Sequence, residues 1–221
     1  MVSLVKRALS SRLAWLLTGL TYPTAIIATN GRYLPRDRYV ATGREEMSIF
    51  SDFLGLDKTI LEFGCGPGKN LLGIADRIKA GWGIDVNPFY IRIANKMASR
   101  YGFKNLHFLT YDSVNFPTEI TVFDVILEKG VFERLDRSLV GYYITKLTEL
   151  LKPDGVMILY FLMEKARKTE FTKRLGESAY TFWSHDEVLH LLRDAGLNIS
   201  EVISAQYADF YVCKFAQMKL H

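Results

Sequence analysis

Apolar residues recur along this chain with two periods. From residue 59 onward, short apolar runs of strand length alternate with stretches repeating every three or four residues. The runs are 59–63, 81–86, 105–110, 122–128 and 155–163, and helical spacing occupies 69–79, 88–101 and 138–151. Strand and helix in alternation predict a parallel, doubly wound α/β sheet, whose ligands bind outside the carboxyl ends of the strands. Ser184 and Glu187 stand at capping-box spacing and open a helix through Leu192 that Gly196 ends. Two further strands follow, Leu197–Ser204 and Phe210–Phe215. Ahead of residue 56 the pattern changes. Val2, Val5, Leu9, Leu13, Leu16 and Leu20 form an amphipathic stripe, and Asn30-Gly31 and Pro35 mark turns. Arg44 to Leu54 reads as a helix with Met47, Phe50 and Leu54 facing inward and Gly55 closing it. The chain thus divides into an N-terminal helical arm, 1–55, and an α/β domain, 56–221.

Chemistry concentrates in the stretch Thr59 to Asn70, TILEFGCGPGKN. Ile60 to Phe63 reads as a buried strand, and Leu71, Leu72, Ile74, Ala75 and Ile78 follow at helical spacing. Between them Gly64, Gly66 and Gly68 permit positive φ and remove the Cβ atoms that would keep a ligand from the backbone. A dinucleotide fingerprint would place its third glycine where Lys69 stands. Glu62, two residues before the first glycine, would repel a pyrophosphate but suits a cation or a hydroxyl donor.

At these residues the chain resembles the class I S-adenosylmethionine-dependent methyltransferases, whose first motif reads E/D-x-G-x-G-x-G. Glu62, Gly64, Gly66 and Gly68 match it, and the resemblance makes Cys65 and Asn70 of the same loop cofactor contacts as well. S-Adenosylmethionine carries a sulfonium and an ammonium and no phosphate, so an acidic lip is chemically apt. Gly81 to Asn87 resembles the family's second strand, ending in the acid that accepts ribose hydroxyls; here that is Asp85, with Val86 beside it. The third strand runs into Tyr111-Asp112-Ser113, which implies that Asp112 and Ser113 contact the adenine. Val122 to Leu135 is similar to the fourth strand and its loop, and Leu150 to Leu159 to the LkPGG turn into the fifth. The motifs span 59–163. They imply a mostly parallel seven-stranded sheet with an antiparallel last strand, a helical lid at the N-terminus, and methyl transfer as the reaction.

Two cysteines, Cys65 and Cys213, stand far apart without Cys/His ligand spacing. A disulfide framework and a metal site are therefore not expected, and a cytoplasmic setting is. The formal net charge is +4, unevenly spread. Lys6, Arg7, Arg12, Arg32, Arg36, Arg38 and Arg44 against Asp37 give residues 1–44 a charge of +6, leaving −2 for the rest. The basic start with Leu13 to Leu20 imitates a signal peptide, but its apolar run is too short to span a bilayer, which needs about 20 residues. The arm is expected to fold over the cleft, with Arg32, Arg36 and Arg38 facing an anionic part of the acceptor. A nucleic acid or a membrane surface is the alternative partner for that charge. Lys165, Arg167, Lys168, Lys173 and Arg174, mixed with Glu164, Glu170 and Glu177, read as a solvated face.

Methyl transfer is an in-line displacement that needs positioning more than a catalytic triad. A base is required when the nucleophile arrives protonated. Glu128, after the fourth strand, is the candidate for that role, with a cofactor or backbone contact as the equal alternative. Arg134 occupies the place where the family often has histidine, and His107 and His185 read as structural and surface residues. The expected acceptor is a small molecule or lipid precursor. The alternatives are an RNA or protein acceptor gripped by the basic arm, and a cofactor-binding member of the fold without methyl transfer.

Overall fold

The computed structural model describes residues 16–167, 169 and 180–216. The helix expected over 2–20 lies mostly outside them, as do Lys168, Glu170, Lys173, Arg174 and Glu177. The chain forms two compact units, residues 1–119 and 120–221.

The first unit opens with a helical turn at 16–18 and helix α1, Tyr22–Asn30. Thr21 and Thr24 cap α1 reciprocally, and Gly31 ends it at φ 72°. Helix α2, Arg36–Met47, starts directly after Pro35 and runs into a 3-10 segment, Ser48–Phe53. The expected helix at 44–54 is therefore the tail of a longer one. The inward positions Tyr39, Gly43 and Met47 are four residues apart, and the glycine in the middle interrupts the apolar stripe. Strand β1, Thr59–Phe63, leads through the glycine loop to α3, Lys69–Ile74. This helix is shorter than expected: a 3-10 turn, Ala75–Arg77, follows, and Ile78 is extended. Asn105 takes the carbonyls of Ala75 and Ile78, at 2.8 and 3.2 Å. Strand β2, Ala80–Asp85, precedes α4, Pro88–Tyr101, which matches its predicted span. Asn87 caps one end of α4 and Gly102, at φ 72°, the other. Strand β3, Leu106–Thr110, pairs parallel with β2, as β2 does with β1.

The second unit holds β4, Phe123–Glu128, then helix α5, Arg137–Thr148, and β5, Leu151–Leu162. The expected turn at 152–155 lies inside β5 as a bulge. Phe123 pairs with Leu151 but Val125 with Val156, and Lys152 bonds Asp124 across the gap at 2.8 Å. Ser184 and Glu187 form the predicted capping box of α6, His185–Asp194. Strands β6, Leu197–Ser204, and β7, Ala208–Phe215, complete the unit. The seven strands follow the order β3-β2-β1-β4-β5-β7-β6, with β7 antiparallel to β5 and β6. This is the doubly wound α/β architecture expected from the alternation of periods. Among the described residues no helix is long and apolar enough to cross a membrane.

Candidate cofactor site

The glycine loop is tied to the end of β2. Gly64 and Cys65 both donate their N–H to the Ile84 carbonyl, and the Gly66 N–H donates to Asp85 Oδ2 at 2.9 Å. Gly68 has φ 84°, and a Cβ there would meet the Phe108 ring at 2.9 Å, so both backbone and packing demand glycine. Gly66 differs. At φ 54° its backbone favours glycine, but an added Cβ would only touch Thr29 at 3.7 Å and Tyr90 at 4.0 Å, so conformation rather than crowding sets this residue.

Two carboxylates flank the loop. Asp85 is buried, and its other oxygen accepts from the Asn87 N–H at 2.8 Å. Burial pushes its pKa up to about 6, against the pull of those backbone donors. Glu62 is buried at β1 and accepts from Asn70 Nδ2 at 2.6 Å, while Asn70 Oδ1 has no hydrogen-bond partner among the described residues. Cys65 is buried in the loop, and desolvation followed by the charges of Asp85 and Glu62 raises its thiol well above its ordinary value. Its role there is packing rather than reactivity. Val86 is half-buried next to Asp85.

Asp112 lies after β3, exposed, and accepts from the backbone N–H groups of Val114 and Asn115 and from Asn115 Nδ2. Those bonds hold its carboxyl below the ordinary range. Ser113 adopts a left-handed φ of 73° and donates to the Asp112 carbonyl. Beside them Phe63, Tyr111 and Phe116 form an aromatic corner with centroids 5.7 to 6.1 Å apart. Sequence reasoning missed Phe116, which falls in no periodic segment; the aromatic next to Asp112 was the available signal.

The arm helices pack on this loop. Lys69, at the start of α3, donates to Asn30 Oδ1 at 2.9 Å and Glu46 Oε1 at 2.7 Å. Tyr39 of α2 is buried with its hydroxyl on Thr29, and Thr18 bonds Tyr90 at 2.6 Å. Arg32, Arg36 and Arg38 of the arm are all exposed. Arg38 pairs with Glu45 of its own helix at 2.9 Å, and Arg36 stacks on Tyr22 of α1 at 4.7 Å.

Glu128 belongs to the second unit and is wholly buried at the end of β4. One oxygen accepts from Val131 N at 2.6 Å and Phe132 N at 3.1 Å, the other from Tyr160 N at 3.3 Å. Desolvation raises its pKa to about 8. The folded chain therefore binds more protons than the unfolded one between 4.5 and about 8, and stability falls as pH rises through that window. Glu133 is raised too and acts with the same sign. Comparing the native chain with Glu128→Gln isolates the Glu128 share. Between about pH 6 and 8 the native chain should lose on the order of 2 kcal/mol more than the variant. Chemical denaturation at both pH values measures it; parallel profiles would show that Glu128 ionises freely in the fold.

Residues 55–196 match the family model described as a methyltransferase domain. The chain belongs to that family, the class I S-adenosylmethionine-dependent methyltransferases with a Rossmann-like fold. It is 29% identical over 107 residues to EEF1A lysine methyltransferase 2 of Danio rerio, covering 45% of this chain and 46% of that one. The chain spans about half the length of the curated relatives it matches. Among solved structures, the CcbJ methyltransferase of Streptomyces caelestis superposes with a TM-score of 0.68 at 14% identity, over 90% of this chain and 99% of that one. The magnesium protoporphyrin IX methyltransferase of Synechocystis with bound SAH gives 0.61 at 17% identity, over 81% and 83%. These two likenesses concern the fold. The residues present fit the family's cofactor: two buried carboxylates, the Asn70 Oδ1 beside them and an aromatic corner suit a molecule with hydroxyls, an ammonium and a purine.

Proposed function

We propose that this chain transfers a methyl group from S-adenosylmethionine to a nucleophilic acceptor. The observation that carries the reading is the pair of buried carboxylates at the glycine loop, Asp85 on the Gly66 N–H and Glu62 on the Asn70 amide. Asp85 would accept the ribose hydroxyls, Glu62 and Asn70 would hold the amino-acid end, and the Phe63–Tyr111–Phe116 corner with Asp112 and Ser113 would take the adenine. When bound, the cofactor supplies an activated methyl carbon, so the protein's task is to align the acceptor and exclude water. Glu128, occupied by three backbone donors, is assigned the role of shaping the loop at 130–132 rather than that of base.

A small-molecule or lipid-precursor acceptor is the first reading. A protein lysine is the second, favoured by the resemblance to EEF1A lysine methyltransferase 2. Salt separates either from an RNA acceptor, whose binding falls steeply as salt rises. A reducing, cytoplasmic setting fits the buried free thiols of Cys65 and Cys213. Isothermal titration tests the central claim: S-adenosylhomocysteine should bind and NAD should not. Binding of NAD without S-adenosylhomocysteine would overturn it.

A further inference from the structure

Beyond the cofactor loop, the second unit holds a polar group buried for no structural need visible in its sequence. Glu133 lies in the 3-10 turn Phe132–Arg134 and is only 7% exposed. Burial disfavours the charge of its carboxyl, which receives the Tyr160 hydroxyl and in turn disfavours the charge of buried Glu128. A desolvated carboxylate next to a second one gains most from a neighbouring cation. Arg134 supplies one. Its Nε lies 3.3 Å from Glu133, and its guanidinium sits over the Tyr180 ring, 4.2 Å from the centroid. Carboxylate on one side and aromatic face on the other is the arrangement that recognises organic cations.

The arrangement is built rather than incidental. Thr181 N donates to the Glu133 carbonyl at 2.8 Å and Thr181 Oγ1 to the Leu135 carbonyl at 2.7 Å, which fixes Tyr180 against the turn. Tyr160 is packed by Phe210 at 5.2 Å. Arg134, in contrast, keeps 43% of its side chain exposed and holds Glu133 through one long contact. The guanidinium therefore has water to move into, and a cation that takes its place keeps the buried Glu133 carboxylate paired.

We propose that Glu133, Tyr160 and Tyr180 form a cradle for an alkylammonium group, which Arg134 fills with its own guanidinium until the ligand displaces it. The inference rests on the methyl-transfer reading for one point, that the group bound is then an amine of the acceptor class, as opposed to a phenol, thiol or carboxylic acid. Glu133, whose burial favours its protonated form, would take the ammonium's proton and free the nitrogen lone pair. The cradle itself stands on the second unit's geometry alone.

The probe is n-butylammonium, with butyrate as the anionic control of equal length, titrated into the isotope-labelled full chain and followed by amide chemical shifts. The ammonium should shift Gly130, Glu133 and Thr181, and butyrate should not. Glu133→Gln should weaken the response about tenfold or more, because a buried charge loses its partner. Arg134→Ala should strengthen it, since the internal competitor is gone, and a merely structural role for Arg134 predicts no such gain. Should Glu133→Gln not fold, Tyr180→Ala takes its place with the same expected loss. Equal responses to both probes, no response at these amides, or weakening in Arg134→Ala would overturn the cradle. Titrating S-adenosylhomocysteine into the same samples keeps the two claims apart. Cofactor binding without an ammonium response sinks the cradle alone, and the reverse result sinks methyl transfer alone.

Discussion

Gly43→Val is expected to unseat the arm from the glycine loop and abolish S-adenosylhomocysteine binding together with much of the stability. Helices α2 and α3 meet backbone to backbone. A Cβ on Gly43 would lie 2.0 Å from the Lys69 carbonyl oxygen, and one on Gly73 would lie 2.3 Å from the Arg44 nitrogen. Neither obstacle is a side-chain end that could swing away, so a whole helix must move. Lys69 directly follows Gly68, and its ammonium is the tie to Asn30 and Glu46. Any retreat of α3 is therefore a distortion of the loop itself. Overpacking at such a contact costs about 3 kcal/mol or more. For a chain of this length that corresponds to a fall in melting temperature of roughly 6–12 °C. Gly73→Val should behave alike, and the double variant should not add, since both break one contact. Thermal melting and calorimetric titration report the two effects. A Gly43→Val protein that melts like the native chain and binds cofactor normally would show that the helices do not cross here.

Asp85→Ala should weaken S-adenosylhomocysteine binding by a few kcal/mol, given charged hydrogen bonds of about 1.5–3 kcal/mol each. It should also cost stability, because the same carboxylate receives Gly66 N and Asn87 N, and both would be left buried without an acceptor. Asp85→Asn separates the two effects, since its amide oxygen retains one of those bonds while its charge is lost. The folded-state pKa near 6 adds a pH signature. In the free protein the raised pKa favours the neutral form, so this group's contribution to stability declines as pH rises from 3.8 to about 6. Cofactor affinity runs the opposite way: hydroxyl donors need the carboxylate, so binding should fall as pH drops through about 6. Titration calorimetry across that range measures it. A flat profile in the native chain, or full affinity in Asp85→Asn, would remove Asp85 from the site.

Much of this architecture is written locally. The run Ile60–Phe63, the alternate glycines and the stripe after them specify β1, a turn and the start of α3 with no distant help. Helix α4 carries its own boundaries, because Asn87, Pro88 and Gly102 supply cap, first turn and left-handed stop. Ser184 and Glu187 do the same for α6. The two hydrophobic periods then settle the α/β class, and the acids at strand ends mark the side on which a ligand binds.

Other features have no local cause. Helix α2 extends back to Arg36 although Gly43 breaks its apolar stripe. That glycine exists for a contact with Lys69, 26 positions on, and no window of sequence around it contains the reason. Helix α3 gives way after Ile74 to a 3-10 turn, and the carbonyls of Ala75 and Ile78 just past it are held by Asn105, beyond β2 and α4. Glu128 reads from sequence as a base at a strand end or, equally, as a cofactor or backbone contact, with nothing local to choose between them. The return of β5 brings Tyr160 N to it, and the loop folds Val131 and Phe132 back onto it. Glu133 likewise becomes a buried partner of Tyr160 and Arg134 a guest of Tyr180 through chain reversals of 27 and 46 residues. Periodicity and capping act within a few residues and are legible there. Which carboxylate is desolvated, and what it then bonds, depends on segments brought together by packing, where burial sets the charge and the neighbours set the role.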